Sequence, residues 1–316
     1  MYQICMSNLV FGPSYVNIFL NFYLKSLIEN LSDQNLFSHS YYLIFTDEES
    51  ISLIERHPNF DQLKILFNVH FIKIEKDALS YQARYELQTY QSQVTAQFAL
   101  TNNLLLHMAA ADLYYGEKYF VNTLARLDQG FDAVVHVPMR VAYESAAQYL
   151  SDRKLSVDEL FEVAFNNLHP LWLASNWNSP YFSKIPYHMI WSDERTICLR
   201  GFSLSPVTVV PKDWMLGAGG CTDITYLPNL QNPYYCLDWS EVPMLELGHI
   251  MSFYPPFSTL PSNAKRVADW ARTATVPSNF DNLNKAVIFK KTTEEVNDDL
   301  IIQSQIIANE ILSNLL

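Results

Sequence analysis

The sequence lacks the marks of several large functional classes. Its four cysteines, Cys5, Cys198, Cys221 and Cys236, lie far apart with no CxxC spacing, so buried free thiols in a reducing compartment are expected. No block of Lys or Arg offsets the net charge of −12, and nucleic-acid binding is excluded because its electrostatic footprint is missing. A phosphate-bearing substrate stays open, since a helix N-terminus, a metal ion or one local Arg neutralises a diphosphate whatever the overall charge. No apolar run reaches the roughly 20 residues of a membrane-spanning helix. The N-terminus, Tyr2-Gln3-Ile4-Cys5-Met6, has neither the basic stretch nor the small-residue cleavage site of a signal peptide. The expected compartment is the cytoplasm, either of the producing cell or of a host cell into which the protein is delivered. There is no P-loop, no Gly-x-Ser-x-Gly elbow, no Gly-x-Gly-x-x-Gly fingerprint and no His-Glu-x-x-His helix.

What is present is apolar and aromatic: 49% of residues are hydrophobic and 14% aromatic, enough to build a sizeable packed core. Tyr2 to Met6 reads as a strand and Tyr15 to Leu31 as an amphipathic helix. Tyr41 to Phe45 reads as a second strand, followed by a helix from about Ser50 that His57-Pro58 closes. Val69 to Ile74 alternates as a third strand, and helical spacing then runs from Ala83 towards Met108. Near its end, Leu104 to Ala111 forms a short apolar run consistent with a buried strand. Tyr119 to Gln129 reads as a helix ending at Gly130, and Ala133 to Val137 as the next strand. Such alternation predicts an α/β fold with a mostly parallel sheet flanked by helices.

The second half is rich in Pro, Trp and Tyr, with short strand-like runs at Thr196 to Phe202, Val207 to Val210 and Tyr234 to Leu237. No Gly/Ser-rich or charged linker separates it from the first half, so it reads as an irregular continuation of one core. Helical stretches follow from Ser262, the last carrying an apolar stripe over Glu294 to Leu315. The expected organisation is a first half over 1–145, a second half of the same core over 146–260 and a C-terminal helical segment over 261–316.

Ligands in parallel sheets sit at the carboxyl ends of the strands, which brings together Ser7-Asn8, Thr46-Asp47 and Asp112-Leu113-Tyr114. Asp112 ends an apolar run, where a carboxylate must be solvated, paired or metal-bound, or serves as a cap or turn residue. Asp112-Leu113-Tyr114 has the position of an Asp-x-Asp element, whose hard oxygens suit Mg²⁺ or Mn²⁺, but Tyr114 stands in place of the second carboxylate. His169 and His188 read as metal ligands, acceptor-site donors or satisfied core histidines. The aromatics Trp172, Trp177, Tyr181, Tyr187 and Trp191 suit either a sugar-stacking platform or a core. The turn Gly217-Ala218-Gly219-Gly220 reads as a loop over an active site.

An ordered succession of short elements resembles a group of bacterial GT-A-like glycosyltransferases. It comprises Leu24-Lys25-Ser26-Leu27, Ile44-Phe45-Thr46, Ala111-Asp112 with its small-residue turn, and Pro138-Met139-Arg140-Val141 followed by Glu144. His169-Pro170, Gly201 to Pro206, Thr222-Asp223 and Asp238-Trp239-Ser240-Glu241 continue it. Ser203 and Ser205 stand where the group carries histidines, and Trp239-Ser240 interrupts the acidic element.

The resemblance implies a nucleotide-sugar-binding half in which Ser7, Thr46 and Asp47 flank the base and ribose and Arg84 reaches a phosphate. It makes Asp112 and Tyr114 part of the diphosphate site, with Asp112 the ligand of a divalent metal. It also makes Asp223, Asp238 and Glu241 candidates for activating an acceptor hydroxyl. The implied activity is sugar transfer from a nucleoside diphosphate donor to a hydroxyl of a glycan, a protein or a small molecule. The competing reading is an inactive relative that binds a carbohydrate or a partner protein through the same kind of site.

Overall fold

The computed structural model describes residues 2–31, 36–37, 39–75, 83–151, 153–220, 222–250 and 259–315. Along the chain, β1 (Ile4–Leu9) leads into α1 (Pro13–Ile18), a π-helical turn (Phe19–Tyr23) and α2 (Leu24–Leu31). Then come β2 (Tyr41–Thr46), α3 (Glu48–Glu55), α4 (Pro58–Leu66), β3 (Asn68–Lys73), α5 (Arg84–Asn102) and β4 (Leu105–Met108). They are followed by β5 (Leu113–Tyr115), α6 (Tyr119–Asp128), β6 (Ala133–His136), β7 (Met139–Ala142), α7 (Tyr143–Leu150), α8 (Val157–Asn166) and α9 (Pro170–Ala174). The remainder holds β8 (His188–Ser192), β9 (Ile197–Gly201), β10 (Ser205–Val209), α10 (Thr222–Thr225), β11 (Pro233–Tyr235), β12 (Met244–Gly248), α11 (Ala264–Ala274), β13 (Val287–Phe289) and α12 (Asp298–Leu315).

The chain divides into two compact units, Met1–Val135 with Ser205–Tyr235, and His136–Leu204 with Cys236–Leu316. The first is built on a seven-stranded sheet of order β11-β6-β10-β4-β1-β2-β3. Strands β4, β1, β2 and β3 run parallel, and β10 is antiparallel to β4. This is the expected α/β class with a mostly parallel, helix-flanked sheet. The central strands are apolar runs because both faces are covered.

On one face Cys5, Leu43, Phe45, Leu106 and Val209 form a core with Leu87, Ala96 and Ala99 of α5. The period-2 alternation sends Asn8, Tyr42, Thr46, His107 and Thr208 to the other face. Helix α5 stops at Asn102 because Asn103 takes a left-handed conformation, φ 53°, a cap that Asn tolerates well. That ending frees Leu105–Met108 to pair as β4 with β1.

Both histidine-proline pairs mark helix starts. His57 and His169 each accept a backbone N–H two residues on, from Asn59 and Leu171, while Pro58 and Pro170 occupy the first helical position. Proline is suited to that position because its missing N–H is not needed there. His169 is therefore a buried cap.

The second unit contains the antiparallel set β13-β9-β8, with α11 and α12 packed on it. Leu300, Ser304, Ala308 and Ile311 make the inward stripe of α12, and each fully buried Leu or Ile contributes roughly 1.5–3 kcal/mol. Trp172 and Trp191 are buried and Trp177 stacks on Trp191, so these indoles serve the core, whereas Tyr181 is 62% exposed. Strands β7 and β12 pair in parallel in the same unit.

Candidate functional site

In the first unit β1, β2 and β4 end side by side, with Ser7 in register with Leu43 and with Met108. The sheet changes winding direction here: β2 and β3 add on one side of β1 and β4 on the other. That switch point is where open α/β sheets open a crevice for ligands.

Most polar groups at this edge are buried and mutually satisfied. Ser7 Oγ accepts from Gln91 Nε2 at 3.1 Å, and Asn8 Nδ2 donates to the Ala109 carbonyl at 2.8 Å. Tyr42 donates its hydroxyl to Asn8 Oδ1. His107 bridges Thr208 Oγ1 through Nδ1 and the Tyr115 hydroxyl through Nε2, both at 2.8 Å. Tyr115 in turn donates to the Tyr23 hydroxyl at 3.0 Å, on the π-helical turn. Burial pushes the phenols of Tyr23, Tyr42 and Tyr115 up, keeping them protonated donors. Ser26 of the Leu-x-Ser-Leu element accepts from the Tyr115 N–H at 3.0 Å, so that element ties β5 to α2.

Thr46, at the end of β2, differs. Its hydroxyl is buried and has no hydrogen-bond partner among the described residues. The next residue, Asp47, caps α3 by accepting from the Ser50 N–H at 2.7 Å. Arg84 opens α5, and its side chain lies outside the described residues. Asp112 sits partly buried in the turn between β4 and β5, and Tyr114 follows, 2% exposed. Burial, with a smaller contribution from Glu29, pushes the Tyr114 phenol up.

The three candidate catalytic carboxylates divide between the units. Asp223 lies in the first turn of α10, in the first unit. Asp238 and Glu241 belong to the second, flanking a 3₁₀ turn, Trp239–Glu241. Asp238 Oδ1 accepts from the Ser240 N–H at 2.9 Å and the Ser240 hydroxyl at 2.7 Å, so its carboxylate caps that turn. Trp239 is buried and donates its indole N–H to the Met244 carbonyl at 3.0 Å. The interrupted acidic element is the turn that starts β12, and partly buried Glu241 ends it.

The Gly217–Gly220 segment is not a free loop over a site. Gly220 donates its N–H to Thr89 Oγ1 at 3.1 Å, and a Cβ there would lie 2.4 Å from the Gln88 backbone. The glycine is what permits this close approach to α5.

A second group of polar side chains stands on and just beyond β7 and β12. Arg140 and Glu246 lie in register and form an ion pair. One step beyond the strands, His249 Nδ1 is 2.9 Å from Glu144 Oε1, and the Ile250 N–H donates to Glu144 Oε2 at 3.2 Å. His169 Nε2 lies 3.3 Å from the His249 carbonyl, and the Tyr143 ring meets the His249 ring edge-on at 4.8 Å. Burial raises the Glu144 pKa, but hydrogen bonds from His249, its own backbone N–H and Ile250 outweigh that and hold it below its ordinary value. Burial lowers His169, keeping it neutral.

Sequence reasoning touched Arg140 and Glu144 only as marks of a resemblance, read His169 as a metal ligand, an acceptor-site donor or a core histidine, and missed Glu246 and His249. The signal was available: Met244-Leu245-Glu246-Leu247-Gly248 is an apolar strand that stops at His249, the pattern that singled out Asp112.

A divalent ion tests poorly against these donors. Asp112 offers one hard carboxylate, Tyr114 is a buried phenol, and no group of three or more His, Cys, Asp or Glu among the described residues is placed to hold a metal. Among the described residues no helix is long and apolar enough to cross a membrane.

The sequence matches no family model and no curated protein. Solved structures with partial similarity to this chain include mouse xyloside xylosyltransferase 1, 11% identical with a TM-score of 0.31, over 49% of this chain and 62% of that one. They also include a putative glucose-1-phosphate thymidylyltransferase from Bacillus anthracis, 10% identical with a TM-score of 0.29, over 46% of this chain and 57% of that one. A third is core-mannan synthase A from Aspergillus fumigatus in a Mn/GDP form, 9% identical with a TM-score of 0.29, over 53% of this chain and 56% of that one. The chain thus spans less than two thirds of each of these, and its fold class rests on its own strand order and register.

Proposed function

We propose that the protein transfers a sugar from a nucleoside diphosphate donor to a hydroxyl acceptor on a glycan, a protein or a small molecule. The observation that carries this reading is the buried, unpartnered hydroxyl of Thr46 at the carboxyl edge of a switched parallel sheet. A buried hydroxyl left without a partner costs about 1–3 kcal/mol, which a hydrogen bond from a bound base or ribose would recover. Ser7, Asn8 and Asp47 end the same strands or begin the loops after them. The succession of sequence elements from Leu24 to Glu241 supports the same reading.

In this account Thr46 and the chain after β1 and β2 hold the nucleoside. Arg84 and Asp112 act at the diphosphate end, Arg84 by neutralising charge and Asp112 by orienting a donor hydroxyl. Glu241 and Asp223 remain candidates for the acceptor side, while Asp238 is occupied as a cap. No step is routed through a resident metal, because the donor set does not fit one. Donor binding also suits a cytoplasmic setting, where nucleotide sugars are held. The second reading, an inactive carbohydrate- or partner-binding relative, is favoured by the buried Tyr114 in place of a second carboxylate.

Calorimetry against UDP-, GDP- and CMP-sugars, with and without Mn²⁺, on the wild type and Asp112→Ala separates the two. Binding of one donor that weakens in the variant is the expected result. No binding across the panel would leave the inactive relative as the better account.

A further inference from the structure

The two edges of the seven-stranded sheet are finished differently. Its order runs from β11 at one edge to β3 at the other. Strand β11 is three residues long, begins with Pro233, and has Arg126 over the Tyr234 ring at 4.4 Å and Phe131 against it at 5.1 Å. Shortness, proline and an overlying cation are devices that stop an edge from accepting another strand. Strand β3 is six residues long and has none of them before its last position, Lys73. Asn68, His70 and Lys73 are exposed and Val69, Phe71 and Ile72 partly so, whereas β1 and β2 are buried along nearly their whole length.

Parity along β3 says which backbone groups face outward. The Asn68 N–H donates to the Ser40 carbonyl at 2.9 Å and the Ile74 N–H to the Thr46 carbonyl at 2.8 Å. Successive residues of a strand turn their N–H and C=O groups to opposite sides, so Asn68, His70, Ile72 and Ile74 bond to β2. Val69, Phe71 and Lys73 then turn theirs outward, and no strand among the described residues lies beyond β3 to receive them. Their side chains share the face on which α3 and α4 pack: Phe71 meets the Phe60 ring at 5.5 Å, and Lys73 Nζ lies 3.0 Å from Glu48.

We propose that β3 pairs with β3 of a second copy of this chain, antiparallel about a two-fold axis at Phe71, so that two sheets join into one. The occupant follows from the strand itself. With the axis there, the outward residues meet only one another: Phe71 lies opposite Phe71 and Val69 opposite Lys73, each pair exchanging two hydrogen bonds. Directly opposed aromatic side chains are a favourable cross-strand pair. The two Lys73 residues fall about 14 Å apart along the strands, beyond the screening length of about 8–10 Å, and each keeps its own Glu48. Lys64 and Asp61 of α4 are likewise paired, at 2.8 Å, so charges of both signs neutralise one another beside this edge. The pairing is independent of the transferase reading.

The test uses the full chain in solution. Sedimentation over a range of concentrations is combined with residue-resolved hydrogen exchange at the lowest and the highest. The expected result is a monomer–dimer equilibrium in which the Val69, Phe71 and Lys73 amides exchange freely when dilute and slow on the order of 10-fold or more when concentrated. The His70 and Ile72 amides, bonded to β2, are expected to stay protected throughout. A chain that remains monomeric overturns the proposal, and so does a dimer in which the three outward amides exchange as fast as in the dilute chain.

Two proline variants extend the test. Val69→Pro removes an outward N–H and no bond to β2, a substitution that edge positions tolerate. Each dimer then lacks two hydrogen bonds, so association is expected to fall on the order of 10-fold or more with the circular dichroism spectrum unchanged. Lys73→Pro does the same at the strand's end, where the fold is least affected, and is measured beside it. Dimerisation of either folded variant at wild-type strength overturns the proposal.

Discussion

At the carboxyl ends of β1, β2 and β4 the polar side chains turn inward and satisfy one another, whereas beyond β7 and β12 they stay partly exposed and pair as acid and base. Ser7, Asn8 and His107 are each 0% exposed, while Glu144 and His249 keep 45% and 21% of their side-chain surface. Both arrangements arise where a parallel strand runs out. The closed network fixes strand register, because a buried polar group is tolerated only with its partners in place. The open pair contributes little to folding, since partly solvated charges are screened. Thr46 stands apart from both, buried like the first and unsatisfied like neither.

The largest expected effect breaks the closed network. His107→Leu strands Thr208 Oγ1 and leaves the Tyr115 hydroxyl with its bond to Tyr23 alone, at a cost of about 1–3 kcal/mol, read from the denaturant midpoint. His249→Leu is expected to cost no more than about 1 kcal/mol. Equal losses in the two variants would erase the distinction between the edges.

Next comes a pH test. Burial lowers His136, at the end of β6, to about 4. The unfolded chain binds this proton with an ordinary pKa of about 6.5 and the folded chain does not, so stability falls as pH drops from about 6.5 to 4, by roughly 1.4 kcal/mol per pH unit. His136→Gln should flatten that limb in urea melts taken across the range. Glu144, with its pKa depressed, contributes above the ordinary glutamate range and loses that contribution only as pH falls through its lowered value. Destabilisation that begins in the carboxylate range, with none above about pH 5, would contradict the assignment to His136.

A smaller contrast uses two glycines. Gly220→Ala drives a Cβ to 2.4 Å from the Gln88 backbone and is expected to cost about 1–3 kcal/mol by overpacking. Gly248→Ala meets only the His169 ring at 3.1–3.3 Å, so thermal stability is expected to change less than for Gly220→Ala while the neighbouring His249 shifts. A larger loss at Gly248 than at Gly220 would mean that the His169 ring is less able to move than the backbone of α5.

Local pattern explains which parts were legible from sequence. Strands β1, β2 and β3 and helix α6 follow from apolar runs bounded by Asn, Asp, Pro and Gly, and their parallel order follows from the helices between them. The antiparallel placement of β10 between β4 and β6 was not legible, because no local signal in Ser205–Val209 names its partners. Asp47 and Asp238 were visible as acids at strand and turn ends, but only the structure distinguishes a cap from an open carboxylate. The strand end at His249 was legible, but its pairing with Glu144 was not, because the two lie 105 positions apart. Loop closure over that distance leaves no spacing rule to find.

The most direct test of the nucleotide-binding edge is the melting of Thr46→Val beside the wild type, with and without UDP, GDP and CMP. Replacing an unsatisfied buried hydroxyl by a methyl group removes a desolvation cost of about 1 kcal/mol or more. The account predicts that the variant melts higher than the wild type without nucleotide, and that a nucleotide which raises the wild-type melting point raises that of the variant by less. A wild type that responds to none of the three, or a variant that responds as fully, would contradict it.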